Sequence, residues 1–106
     1  MKRARKITKK EIKEIAKKYD LDPVEIQDIV NDMESDGIRV RSSTFHYWVK
    51  HYEEPSEDFG IDGGRISKLT LKRNGETVYN YDRGLDVKPK DKDTEIALAI
   101  LIKEYN

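Results

Sequence analysis

The sequence predicts an α+β domain: a two-helix, helix-turn-helix-like N-terminal segment, then a three-stranded antiparallel sheet packed by a C-terminal helix. Three observations predict it. Asn74-Gly75 lies between two runs of alternating residues, and such a pair supplies the two positive-φ positions of a type I′ hairpin turn. Two stretches before residue 37 carry helix-start signals followed by apolar residues at helical spacing. A third, from about Asp93 to Tyr105, is apolar around most of its circumference, as a buried helix is.

The elements follow in order. Residues 1–37 read as a basic arm and two-helix unit, and residues 38–106 as a sheet-plus-helix domain. In the first helix Thr8 is the N-cap, Glu11 completes a capping box, and Ile7 can staple to Ile12. Ile12, Ile15, Ala16 and Tyr19 form its apolar stripe. In the second, Asp22 caps, Pro23 takes the first helical position and Glu25 closes the box. Ile26, Ile29, Val30 and Met33 form its stripe, and Gly37 is the natural residue beyond its end. Ile38 to Val40 begins extended structure. Thr44 to Tyr52 alternates as a strand, with Phe45, Tyr47, Val49 and His51 on one side and His46, Trp48, Lys50 and Tyr52 on the other. Residues 53–64 are an acidic, Gly-containing loop in which Phe59 and Ile61 are the expected core anchors.

The two-residue turn sets the hairpin register. Counting outwards pairs Arg73 with Glu76, Lys72 with Thr77, Leu71 with Val78, Thr70 with Tyr79 and Leu69 with Asn80. Leu69, Leu71 and Val78 then share the core face. Lys68, Thr70, Lys72, Thr77, Tyr79 and Tyr81 share the other. If left open, that second face is an aromatic patch edged by Lys68, Lys72 and Arg83, of the composition found in interface hot spots. The expectation is that the N-terminal helices cover it. In the last helix Leu98, Leu101, Ile102 and Tyr105 make one stripe, widened by Ile96, Ala97, Ala99 and Ile100.

The 106-residue chain is formally neutral with 40% charged residues, but its charge is segregated. Residues 1–18 hold nine cations against Glu11 and Glu14, and residues 19–37 hold seven acids and no Lys or Arg. The absence of cysteine excludes disulfides and thiolate chemistry. No apolar run follows the basic start, so it is no secretory signal, and nothing approaches a membrane span. These features suit the cytoplasm.

Catalysis has no constellation to rest on. His46 and His51, the only histidines, are five apart on a strand and point to opposite faces, so they cannot share a metal. The acidic loop lacks the oxygen-ligand pattern of a calcium loop. Gly60, Gly63 and Gly64 are not followed by a Lys-Ser/Thr pair or a helix start, as a phosphate loop requires. No enzyme activity, metal or cofactor is expected.

Glu14 to Leu21, Val24 to Met33 and Gly37 to Val40 resemble the second and third helices and first wing strand of winged-helix regulators, and also the extreme N-terminal helical region of primary sigma factors. Their would-be recognition helix, Pro23 to Asp36, carries Glu25, Asp28, Asp32 and Glu34. Four carboxylates beside DNA phosphates are repelled, which favours a structural or protein-binding helical pair over a groove reader. The order of elements overlaps with double-stranded RNA-binding domains, but Asp91, Asp93 and Glu95 interrupt the basic residues Lys88, Lys90 and Lys92 where those domains carry a basic motif.

Phe59-Gly60-Ile61, Gly64-Arg65-Ile66-Ser67-Lys68-Leu69 and Tyr81-Asp82-Arg83-Gly84-Leu85-Asp86 carry a second resemblance, over about residues 44–106. They resemble a domain of unknown function found in small proteins of Gram-positive phages and mobile elements, which often has Trp at the place of Leu85. The resemblance implies a phage or prophage setting and a sheet-plus-helix domain, and supplies no activity. Small size, no catalytic constellation and this resemblance together suggest an accessory protein that binds a host protein stoichiometrically. A nucleic-acid-handling enzyme such as a CRISPR effector is a fitting target, inhibited through Glu25, Asp28, Asp32 and Glu34, or through Tyr79 and Tyr81. The alternative is a nucleic-acid-binding module that places Lys2, Arg3, Arg5, Lys6, Lys9, Lys10 and Lys13 on phosphates.

Overall fold

The structure is a computed structural model that describes residues 7–33 and 37–106. Helices α1 (Lys9–Lys18) and α2 (Pro23–Asn31) are followed by strands β1 (Gly37–Val40), β2 (Ser43–His51), β3 (Ile66–Arg73), β4 (Glu76–Asp82) and β5 (Leu85–Val87), and then by helix α3 (Lys92–Tyr105). The strands form one antiparallel meander in the order β1-β2-β3-β4-β5. The sheet therefore has five strands where three were expected. The two extra strands are short edges. The first is legible only as the extended stretch at Ile38 to Val40 and the second not at all, and pairing with β2 and β4 is what makes them strands.

The helix starts form as read from the sequence, with one change. Thr8 Oγ1 accepts from the Glu11 N–H at 3.2 Å and Glu11 Oε1 accepts from the Thr8 N–H at 3.1 Å, a reciprocal capping box. On α2, Asp22 Oδ1 accepts from Val24 N–H at 2.9 Å, whereas the Glu25 N–H goes to the Asp22 carbonyl, also at 2.9 Å. The second box does not form, and Glu25 stays at the surface. Helix α2 also ends sooner than Gly37, which instead begins β1. Its last turn has no basic residue, and Asp28 and Asp32 oppose the negative end of the helix dipole.

A single apolar cluster joins the helices to one face of the sheet. Helix α3 packs across β1, β2 and β3, α1 packs on α2 and α3, and α2 touches β1. Ile96, Ala97, Ile100 and Leu101 are fully buried, each large one worth about 1.5–3 kcal/mol. The core stripe of α3 is thus Ile96, Ala97, Ile100 and Leu101, and Leu98, Ile102 and Tyr105 are only partly buried beside it. The same stripe carries Glu104, also fully buried, which accepts the Ile7 N–H at 3.3 Å.

The hairpin turn has positive φ at both Asn74 and Gly75, as its sequence requires. The expected register holds for Arg73–Glu76 and Lys72–Thr77 and then slips. Leu71 pairs with Tyr79, Thr70 with Asn80 and Leu69 with Tyr81. Val78 is the extra residue of a β-bulge, and a one-residue slip turns everything beyond it to the opposite face. Tyr79 therefore joins Leu69 and Leu71 in the covered face, at 4% exposure. The expected shared face of Thr70, Tyr79 and Tyr81 is not formed.

Candidate functional site

The meander leaves one side of its sheet without a covering layer. On β2 that side presents the exposed residues Thr44, His46, Trp48 and Lys50. On β3 it presents Lys68, Thr70 and Lys72, and on β4 Asn80 and Asp82. Pairing aligns them in rows. His46 stands opposite Lys72, Trp48 opposite Thr70 and then Asn80, and Lys50 opposite Lys68 and then Asp82. The row carrying the Trp48 ring thus lies between a row of His46 and Lys72 and a row of Lys50, Lys68 and Asp82.

The details of these rows are informative. Trp48 is 54% exposed although it sits mid-strand near the centre of the sheet. Lys72 Nζ lies 5.8 Å from its ring centroid, a cation–π placement. Thr70 Oγ1 donates to Asn80 Oδ1 at 2.8 Å, and Asn80 Nδ2 donates to Asp86 Oδ2 at 3.1 Å. Lys50 and Lys68 oppose each other as like charges, which disfavours the sheet. Asp82 relieves Lys68 in part, at 3.6 Å.

The residues singled out in the sequence fall elsewhere. Glu25 and Asp28 on α2 and Asp32 at its C-cap are exposed, at spacings that put them along one side of the helix. Lys9, Lys10 and Lys13 are exposed on α1. Glu34, Lys2, Arg3, Arg5 and Lys6 lie outside the described residues. Tyr79 is core. Tyr81 is half-buried, and its hydroxyl donates to the Phe59 carbonyl at 3.2 Å. The N-terminal helices are not what reaches the tyrosine strand there; the 53–64 loop is. Ile61 anchors that loop in the core as expected, but Phe59 is 46% exposed.

The short motifs around the hairpin ends build a support for this face. Arg65 Nε donates to the Tyr52 carbonyl at 3.0 Å, Ser67 Oγ to the Lys50 carbonyl at 3.1 Å, and Arg83 N–H to the Ser67 carbonyl at 2.9 Å. Asn106 closes the same region: its Nδ2 donates to the Ile61 carbonyl at 3.0 Å and its Oδ1 accepts the Ile66 N–H at 2.9 Å. At the other end, Arg73 reaches Asp91 at 2.5 Å and lies 5.2 Å from the Phe45 ring. Asp91 caps α3 through the Thr94 N–H, and this hydrogen bond, with help from Arg73, holds its carboxyl below the usual range.

His46 lies on the open side, and His51 lies against Tyr105 of α3 at 5.9 Å between ring centroids, so the two are on opposite faces. Among the described residues no group of three or more His, Asp or Glu could hold a metal ion. Also among them, no helix is long and apolar enough to cross a membrane.

Sequence reasoning placed Trp48 and Lys50 on one side of β2 and Lys68, Thr70 and Lys72 on one side of the hairpin. It put Trp48 or Tyr47 beside one of the hairpin's two faces without deciding which. The signal was present as alternation, but the strand pairing that merges the two sets is a long-range fact.

Fold and face together define a small α+β module with one covered and one open sheet face. Residues 33–106 match the family described as Domain of unknown function (DUF7678), and the chain belongs to that family. No curated protein and no solved structure gives a match.

Proposed function

We propose that this chain is a small non-enzymatic binding protein that holds nucleic acid against the open face of its sheet. The observation that carries the reading is the cross-strand pair of lysines, Lys50 with Lys68, with Lys72 beyond exposed Trp48 on the same open face. Lysines placed opposite one another weaken the sheet, and Asp82 reaches only Lys68, so the pair gains from a further anion over it. A polyphosphate backbone supplies that anion. The basic residues of α1 extend the same chemistry in the alternative read from the sequence.

The test is electrophoretic mobility at low ionic strength with three charge-reversed proteins. Lys50→Glu/Lys68→Glu/Lys72→Glu is expected to lose binding. Lys9→Glu/Lys10→Glu/Lys13→Glu is expected to weaken it by less than tenfold, and Glu25→Lys/Asp28→Lys/Asp32→Lys to preserve it. Retained binding by the sheet variant removes the reading.

One observation favours a second reading, a protein partner. The exposed ridge of Glu25, Asp28 and Asp32 along α2 could compete for the cationic nucleic-acid channel of a host enzyme, such as a CRISPR effector. In that case the chain is an accessory protein of a phage or mobile element, the setting that its motif resemblance implies. Pull-down from host lysate with the Glu25/Asp28/Asp32 variant separates the two, because only this reading expects the captured partner to vanish.

A further inference from the structure

We infer that the open face takes single-stranded nucleic acid, with a base stacked on the Trp48 ring and the adjoining phosphates held by Lys50, Lys68 and Lys72. This rests on the reading of the face as a nucleic-acid surface and adds which form of nucleic acid it takes.

The geometry separates single strands from duplexes. Trp48 projects from the middle of a sheet face, 54% exposed, with Thr70 and Asn80 beside it in the same row. An aromatic ring standing on a sheet can meet the π-face of a base only if that base is not already stacked inside a duplex. In a duplex the ring would meet sugar and phosphate, and its apolar area would gain nothing.

The lysines complete the fit. Lys68 and Lys72 lie on one side of β3 with Thr70 between them, roughly 13 Å apart along the strand. That spacing brackets the Trp48 row, so phosphates on either side of a stacked base fall near one lysine each, Lys68 turning to its phosphate from Asp82, 3.6 Å away. Lys72 Nζ lies over the ring, 5.8 Å from its centroid, and swings off it to a phosphate as the base stacks. Lys50, next to Lys68 across the strand pair, adds a second charge on that flank. The Thr70–Asn80 hydrogen bond continues the row as a flat polar shelf beside the ring. Base identity is read weakly by such a surface, because every base has a π-face.

Trp48 is the only tryptophan in the chain, so its emission reports on the site directly. The experiment titrates the full-length protein with 12-nucleotide oligothymidylate, 12-nucleotide oligouridylate and a 12-base-pair DNA duplex at low salt. Saturable quenching by at least one single strand is expected, with the duplex at least tenfold weaker. The log of the single-strand affinity should fall with log salt at a slope of about −2, from three lysine–phosphate contacts. Trp48→Ala, followed by anisotropy of a labelled strand, should bind about 5- to 150-fold more weakly, with an unchanged melt because the ring is exposed. A duplex bound as well as the single strands, with Trp48 emission unchanged, overturns the stacking inference but leaves the sheet-face reading standing. Trp48→Ala binding like the parent does the same. No binding of any of the three probes at low salt overturns both, and directs attention to the protein-partner reading.

Discussion

Burial in the covered sheet face pushes the Tyr79 phenol up to about 12, with the neighbouring Tyr81 and Asp62 adding to the rise. In an unfolded chain a tyrosine ionises near 10, so the native state holds this proton more tightly. Its contribution to stability is therefore complete below about pH 10 and is lost as the pH rises towards about 12, at about 1.4 kcal/mol per pH unit in that window. Urea unfolding at about pH 8 and pH 11 should show a larger drop for the parent than for Tyr79→Phe; equal drops would locate the alkaline sensitivity elsewhere. Tyr79→Ala tests the burial itself. At 4% exposure and opposite Leu71, it should lower stability by about 3 kcal/mol or more. A variant that melts like the parent would mean the ring is not core.

Among the elements, the bulge in β4 and the 53–64 loop have the largest consequences. Were Val78 paired regularly with Leu71, Tyr79 and Tyr81 would turn to the open face and Leu69 would stand opposite Asn80. Burying two aromatic rings outweighs the ladder hydrogen bonding that one bulge disrupts. The loop is locked by close backbone approach. Ser56 N–H donates to the Gly64 carbonyl and Gly60 N–H to the Ser56 carbonyl, both at 2.9 Å. A Cβ at Gly60 would lie 1.8 Å from the Gly64 carbonyl oxygen and 2.8 Å from that of Ser56. Both obstacles are backbone and cannot rotate away. Gly60→Ala should therefore cost about 1–3 kcal/mol as an overpacking change. Its amide exchange should also rise in residues 56–66, and an unaltered exchange pattern would show that the loop accommodates the methyl elsewhere.

The whole molecule is organised by α3, which touches three strands on one side and α1 on the other. The family match begins at residue 33, yet Ile12, Ile15, Ala16, Ile26 and Val30 from the two earlier helices belong to the same apolar cluster as the sheet. A chain of residues 33–106 alone would expose the α3 and β1 surfaces those helices cover. It should melt at lower temperature than the full chain and bind a hydrophobic dye. A truncated chain with the parent melting temperature and no dye binding would show the helices to be an independent annex. At this scale the charge pattern also gains a meaning. The acidic side chains of α2 and the basic rows of the sheet lie on different elements and do not pair with each other among the described ion pairs, so the neutral chain presents surfaces of opposite sign.

By itself the sequence determined what depends on neighbours a few residues away. Thr8 and Asp22 start helices because their side chains reach N–H groups two or three residues on, and Asn74-Gly75 closes a hairpin because its φ angles require no distant contact. The apolar girth of α3 marked it as the central helix, since no surface position could carry so much Ile and Leu. Tertiary structure alone decided the rest. The end of α2, the two edge strands and the bulge at Val78 each trade a local preference for burial or pairing with residues far along the chain. The bulge matters most for function. Because side chains alternate with a period of two, one residue of slip turned Tyr79 into the core and Tyr81 to the covered side, and put Asn80 in place of Tyr79 beside Trp48 and Thr70 on the open face.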